Sequence, residues 1–148
     1  MNSRRPPTHD RARKITVLCI EDEPETISLI KLILERAEFT VIGALNGRDG
    51  LDLARQAEPD VVLLDLMMPA MDGWEVNTRM KADVKLRDIP VIVLTGVHLA
   101  NGGARDLQIH DYVTKPFAPR DLVRRVRDAV GLTAQEAVTA RIGSKASS

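Results

Sequence analysis

Short, nearly unbroken apolar runs set the strongest limit on how this chain can fold. Ile15–Ile20, Val61–Leu64 and Val91–Leu94 place apolar side chains at almost every consecutive position. Such runs are too short for buried helices, and a strand apolar at consecutive positions is covered on both faces. Between them the period changes. Pro24 opens a helix at the position where its missing N–H is harmless, and Ile27, Ile30, Leu34 and Ala37 then recur at helical spacing. Phe39–Ala44 is a second strand, and Asn46 caps a helix carrying Leu51, Ala54 and Ala57. Val61–Leu66 is the third strand, followed by a helix over Trp74–Lys81 with Val76 and Met80 inward. Pro90 precedes the fourth strand, Val91–Leu94. A weak helix is predicted around Ala104–Gln108 and a short fifth strand over Tyr112–Thr114. Pro119 opens a last helix, Asp121–Val130, which Gly131 stops.

Apolar strands alternating with helices predict an α/β fold, a parallel sheet with helices on both faces. Right-handed crossovers then bring every strand's carboxyl end to one edge, where such sheets bind ligands. Glu21, Asp22, Asp65, Thr95 and Lys115 all fall just after strands. All five belong on that edge.

Composition narrows the rest. A chain of 148 residues, 44% hydrophobic, suits one ordinary domain and excludes general disorder. The 21 basic and 21 acidic residues balance, against a nucleic-acid binder built on global charge. Cys19 is the single cysteine and reads as a buried, reduced thiol. No apolar stretch is long enough to span a bilayer, and no apolar run backs the N-terminal arginines as in a secretory signal. A cytoplasmic protein is expected, with neither nucleic acid nor membrane as partner. Residues 1–13 read as a disordered basic arm containing Pro6-Pro7, Arg4, Arg5, Arg11 and Arg13; residues 132–148 read as a flexible tail; the folded domain is 14–131.

The edge residues suit one chemistry. Crowded carboxylates are costly unless a positive charge sits between them. Mg²⁺ fits, since it takes oxygen ligands and keeps several waters. Asp22, Asp65 and the backbone carbonyl of Met67 are the expected direct ligands, with Glu21 holding a coordinated water. Histidine and cysteine are missing from the set, which argues against zinc. A carboxylate oxygen can also attack phosphorus to give an acyl phosphate. Thr95 can donate to one phosphoryl oxygen, and Lys115 can neutralise a second. Pro116 biases Lys115 towards extended backbone and invites a cis bond between the two. Gly47, Gly50, Gly73 and Gly102-Gly103 match neither a dinucleotide nor a Walker-type loop, so the phosphoryl donor is not a nucleotide held in this domain.

Taken singly, each residue has a plain alternative. Glu21-Asp22 could cap the helix at Pro24, Asp65 could start a turn, Thr95 could be a cap group, and Lys115 could be a solvated surface lysine. The conjunction is sharper, because separate strand ends each supply a matching group.

These residues resemble the receiver domain of two-component response regulators, over roughly 15–131. The resemblance rests on Glu21-Asp22-Glu23-Pro24, on Asp65-Leu66-Met67-Met68-Pro69-Ala70-Met71-Asp72-Gly73, on Thr95-Gly96 and on Tyr112-Val113-Thr114-Lys115-Pro116-Phe117. It implies a flavodoxin-like, doubly wound five-stranded parallel sheet. It implies Asp65 as phosphoacceptor, Glu21 and Asp22 as the acidic pair for Mg²⁺, Thr95 and Lys115 as the pair sensing the phosphoryl group, and Tyr112 as an aromatic switch. The implied donor is a phosphohistidine of a sensor histidine kinase or histidine phosphotransfer protein, and the implied catalysis is limited to self-phosphorylation and slow hydrolysis. Three departures stand out. The acidic pair is Glu-Asp where two aspartates are common. The stretch between Thr95 and Tyr112 is short and carries Gly102-Gly103; each glycine costs about 1 kcal/mol inside a helix, so the predicted fourth helix should be short or mobile. Ile109-His110-Asp111 replaces the small-residue pair before the tyrosine.

A stand-alone receiver is expected, since the residues after Gly131 are too few for an effector with its own core. Its output should be contact with a downstream protein target through the predicted fourth and the last helix. Arg120, Arg124, Arg125 and Arg127 lie there against Val123, Val126 and Val130. That face could meet an acidic partner or a second copy of the chain, or be merely solvated. A constitutive interaction module without switching is the alternative function. An aspartyl phosphohydrolase is the third, weakened because Met67, two residues after Asp65, cannot shuttle a proton.

Overall fold

The structure is a computed structural model that describes residues 14–96 and 108–132. Its strands are β1 (Thr16–Ile20), β2 (Thr40–Ala44), β3 (Val61–Asp65), β4 (Val91–Thr95) and β5 (Asp111–Thr114). Its helices are α1 (Pro24–Arg36), α2 (Gly47–Ala57), α3 (Gly73–Ala82) and α4 (Pro119–Ala129). The strands form one parallel sheet in the order β2-β1-β3-β4-β5. The doubly wound five-stranded sheet expected from the sequence is present. Residues 1–13 and 133–148, and all but Gln108 of the predicted fourth helix, lie outside the described residues.

The alternation of strand side chains separates two apolar layers. Leu18, Ile20, Val62, Leu64, Val91 and Val93 pack with Leu51, Ala54, Val76 and Met80 of α2 and α3. Val17, Cys19, Val61, Leu63, Ile92 and Leu94 pack with Ile30, Leu34, Leu122 and Val126 of α1 and α4. This two-sided burial is why the strands read as continuous apolar runs. Leu86 and Ile89, in the turn after α3, are also buried in the first layer; neither belongs to a periodic pattern in the sequence.

Helix ends follow local chemistry. The Asn46 side chain accepts from the Asp49 N–H at 2.8 Å, and Asp72 caps α3 by accepting from the Glu75 N–H at 3.0 Å. Pro24 and Pro119 are the first residues of α1 and α4.

Register sets the functional edge. Ile20 pairs with Leu64, so Glu21 and Asp65 are level across β1 and β3. Asp65 pairs with Leu94, so Thr95 follows on the next strand. Thr95 pairs with Thr114, and the Lys115 N–H donates to the Thr95 carbonyl at 2.7 Å. The peptide bond between Lys115 and Pro116 is cis, as the sequence invited.

Candidate functional site

Asp65 ends β3 with its side chain almost wholly buried, and Glu21 and Thr95 are fully buried. Asp22 is half-buried. Glu21, Asp22 and Asp65 each present a carboxylate oxygen within 4.8 Å of the other two. The Lys115 ammonium donates to Glu21 Oε1 at 2.6 Å and lies 3.8 Å from Asp65 Oδ2. Backbone amides occupy the remaining oxygens: the Glu23 N–H donates to Glu21 Oε2 at 3.2 Å, and the Met67 N–H to Asp65 Oδ1 at 3.0 Å.

The loop after Asp65 folds back on the strand that carries it. The Gly73 N–H donates to the Leu66 carbonyl at 3.1 Å. A Cβ on Gly73 would strike the Asp65 carbonyl oxygen and stand 2.7 Å from Leu66 Cα. Only glycine lets α3 start this close to the site. Sequence reasoning did not single out this role, although Asp72-Gly73 is a turn signal.

Burial pushes the Glu21 carboxyl up from 4.5 to about 7; the Lys115 hydrogen bond opposes the rise and the neighbouring Asp65 adds to it. Burial works to lower Lys115, but its hydrogen bond to Glu21 and the charge of Asp65 outweigh that, and the ammonium is held above its usual range. Cys19, beneath the site in β1, is pushed up to about 12, by burial first and then by the Glu21 charge. It is an inert thiol.

The site is therefore short of positive charge. One lysine faces three carboxyl groups, and two of those are buried. Oxygen-only donors around an uncompensated anionic centre fit a hard cation such as Mg²⁺ and not zinc. Every strand-end residue expected at the edge is brought there. Tyr112 pairs with Val93 and is half-buried against the α2–α3 layer. The predicted basic face of the last helix is divided. Arg125 binds Asp111 at 2.6 Å and Asp121 at 2.9 Å, and Arg124 binds Asp121 at 2.6 Å. Arg120, Arg124 and Arg127 line a groove together with residues of α1.

The family model of the response regulator receiver domain matches residues 17–127. The chain belongs to the response regulator receiver domain family. It is 38% identical over 113 residues to the DNA-binding dual master transcriptional regulator RpaA of Synechocystis, a match covering 75% of this chain and 47% of that protein. The chain thus spans about half the length of the curated relatives it matches. Among solved structures it resembles the N-terminal domain of a response regulator receiver protein from Methanoculleus marisnigri, at 36% identity and TM-score 0.66, covering 78% of this chain and 96% of that one. It also resembles the receiver domain of a sensor histidine kinase from Pseudomonas aeruginosa, at 25% identity and TM-score 0.74, covering 80% and 99%. That structure has a magnesium ion coordinated in the active-site cleft. The cluster of Glu21, Asp22 and Asp65 thus lies within a response regulator receiver domain. Among the described residues no helix is long and apolar enough to cross a membrane.

Proposed function

We propose that this receiver domain takes a phosphoryl group from the phosphohistidine of a sensor kinase or phosphotransfer protein onto Asp65. The observation that carries this is the convergence of Glu21, Asp22 and Asp65 within 4.8 Å, with Lys115 reaching two of them. An Asp65 carboxylate oxygen forms the new P–O bond as the P–N bond breaks. The bonding pair leaves on the imidazole nitrogen, and an acyl phosphate results. Lys115 shifts from Glu21 towards the incoming phosphoryl oxygens, and the Thr95 hydroxyl donates to another. Asp22, Asp65 and the Met67 carbonyl would hold Mg²⁺, with Glu21 at a coordinated water; the bound ion would neutralise charge on the phosphoryl oxygens. The magnesium in the Pseudomonas relative supports this assignment.

Movement of Thr95 towards the phosphoryl group would draw the Tyr112 ring inward and change the surface offered to a downstream protein. The folded module is residues 14–131, acting in the cytoplasm, with Arg120 and Arg127 available to an acidic target or a second copy of the chain. Incubation with acetyl phosphate and Mg²⁺, followed by intact mass and peptide mapping, should place one phosphoryl group on Asp65. Asp65→Asn should abolish it. Label on another residue, or an Asp65→Asn variant that responds like the parent, would end this assignment.

A further inference from the structure

We infer that the groove between α1 and α4 docks an acidic amphipathic helix of another protein. The groove, of about 1030 Å³, contains none of the phosphoryl-site residues. Leu29, Leu32 and Val123 give it an apolar lining, and Leu29 is 49% and Leu32 54% exposed. Two such leucines, exposed on a helix that already buries Ile30 and Leu34, mark a contact surface.

Charge decides the kind of partner. Arg36, Arg120, Arg124 and Arg127 line the same groove, against one acid, Asp128. Asp128 is engaged elsewhere, its carboxylate 3.1 Å from His110 Nε2. Arg124 pairs with Asp121 at 2.6 Å. Arg36, Arg120 and Arg127 have no ion-pair partner among the described residues. An apolar floor edged by arginines is complementary to leucines flanked by aspartate and glutamate.

Shape selects a helix. α1 leaves the functional edge after β1 and α4 after β5, and both run back along the sheet. Arg36 and Leu132, at their far ends, both line the groove, so it extends away from Asp65. α4 is about 16 Å long, room for roughly three turns of a helix laid between the two. Apolar anchors at i, i+4 and i+7 would face the leucines, with carboxylates on either side. A flat bilayer does not follow such a concave surface. A second copy meeting the groove across a two-fold axis would set the arginines against themselves. The chain's own ends match poorly in charge. Residues 133–148 carry one acidic side chain, Glu136, against Arg141 and Lys145, and residues 1–13 carry Asp10 against four arginines.

The docked helix would be the downstream protein contact of the reading above, and rests on that reading for the contact alone. The test is fluorescence anisotropy on the full, unphosphorylated chain. The probe is a labelled peptide of about eleven residues, with leucines at i, i+4 and i+7 and glutamates beside them. It should bind at least about tenfold more tightly than its lysine-for-glutamate counterpart at low salt, and lose affinity as salt rises. R120E/R127E should reverse that preference, and L29S/L32S should weaken binding of the glutamate peptide. Circular dichroism checks the fold of each variant, and a reversed preference is not something unfolding produces. No binding by the parent, or equal binding of the two peptides, would overturn the assignment. A parent dimer in sedimentation that L29S/L32S dissolves would also overturn it, by giving the groove to a second copy. Arginine-dependent binding to phosphatidylglycerol vesicles in place of the peptide would do the same, by giving it to a membrane surface. Labelling of Asp65 is read separately, so either assignment can fail without the other.

Discussion

Replacing Gly73 by alanine tests the most demanding piece of geometry in the site. The added methyl meets three backbone atoms: the Asp65 carbonyl oxygen, Leu66 Cα at 2.7 Å and the Asp65 carbonyl carbon at 3.0 Å. None is the flexible end of a side chain, so the loop itself must move. Overpacking of this kind costs about 1–3 kcal/mol. Alanine recovers part of that through its helix propensity, at most about 1 kcal/mol and less at the first helical position. A net loss of roughly 1–2 kcal/mol is expected from these two terms. Urea unfolding followed by circular dichroism should show a midpoint lower by about 0.5–1 M, for a slope near 2 kcal/mol/M. The displaced carbonyl also carries Asp65 with it, so phosphoryl uptake from acetyl phosphate should slow in the same variant. Gly96→Ala is the control. Among the described residues its Cβ would meet nothing within 4 Å, and a compatible Gly→Ala change stabilises by about 0.4–1 kcal/mol through the unfolded chain. Opposite signs at the two glycines are required. If Gly73→Ala is as stable as the parent and labels at the parental rate, the close return of α3 onto Asp65 is wrong.

Other perturbations bear on separate parts of the molecule. Lys115→Ala leaves the fully buried Glu21 carboxylate without its 2.6 Å partner; a loss of about 1–3 kcal/mol is expected in urea unfolding, partly restored by millimolar Mg²⁺, and no loss would mean the pair does not form. Mg²⁺ should raise the thermal midpoint of the parent, and Asp22→Asn should cut that rise sharply in the same scan without unfolding the chain. Arg125→Ala should cost ~1 kcal/mol, since this one guanidinium joins β5 to α4 through Asp111 and Asp121. The Arg125 and Arg124 guanidiniums hold the Asp121 carboxyl below its ordinary 3.8. Its contribution is therefore present above that pH and is lost as pH falls through the lowered value, so Asp121→Asn should flatten the acid limb of a stability–pH curve.

Much of the site was legible because strand ends in a parallel sheet share an edge. Asp65, Thr95 and Lys115 each follow an apolar run, and that alone brings them together. The helix after Asn46 was legible because its cap is local. Leu86 and Ile89 were not, since irregular turns carry no period even when their side chains are buried. The arginines of α4 read as one basic face because helical spacing ignores what lies beyond the helix. Asp111 and Asp121 decide that Arg125 is tied to β5 as well as to its own helix, while Arg120, Arg124 and Arg127 border a groove shared with α1.

The acidic pair shows the division most clearly. Sequence alone placed Glu21 and Asp22 after the first strand and supplied the chemistry for a cation. Which of the two is buried depends on how β1 sits between β2 and β3, a matter of pairing between distant segments. That packing submerges Glu21 and brings Lys115, ninety-four positions along the chain, to its carboxylate, while Asp22 stays at the rim. Patterns of apolar residues determine elements because they act over a few neighbouring positions. Charge, proton affinity and ion pairing at the site come from groups that meet only when the sheet has assembled.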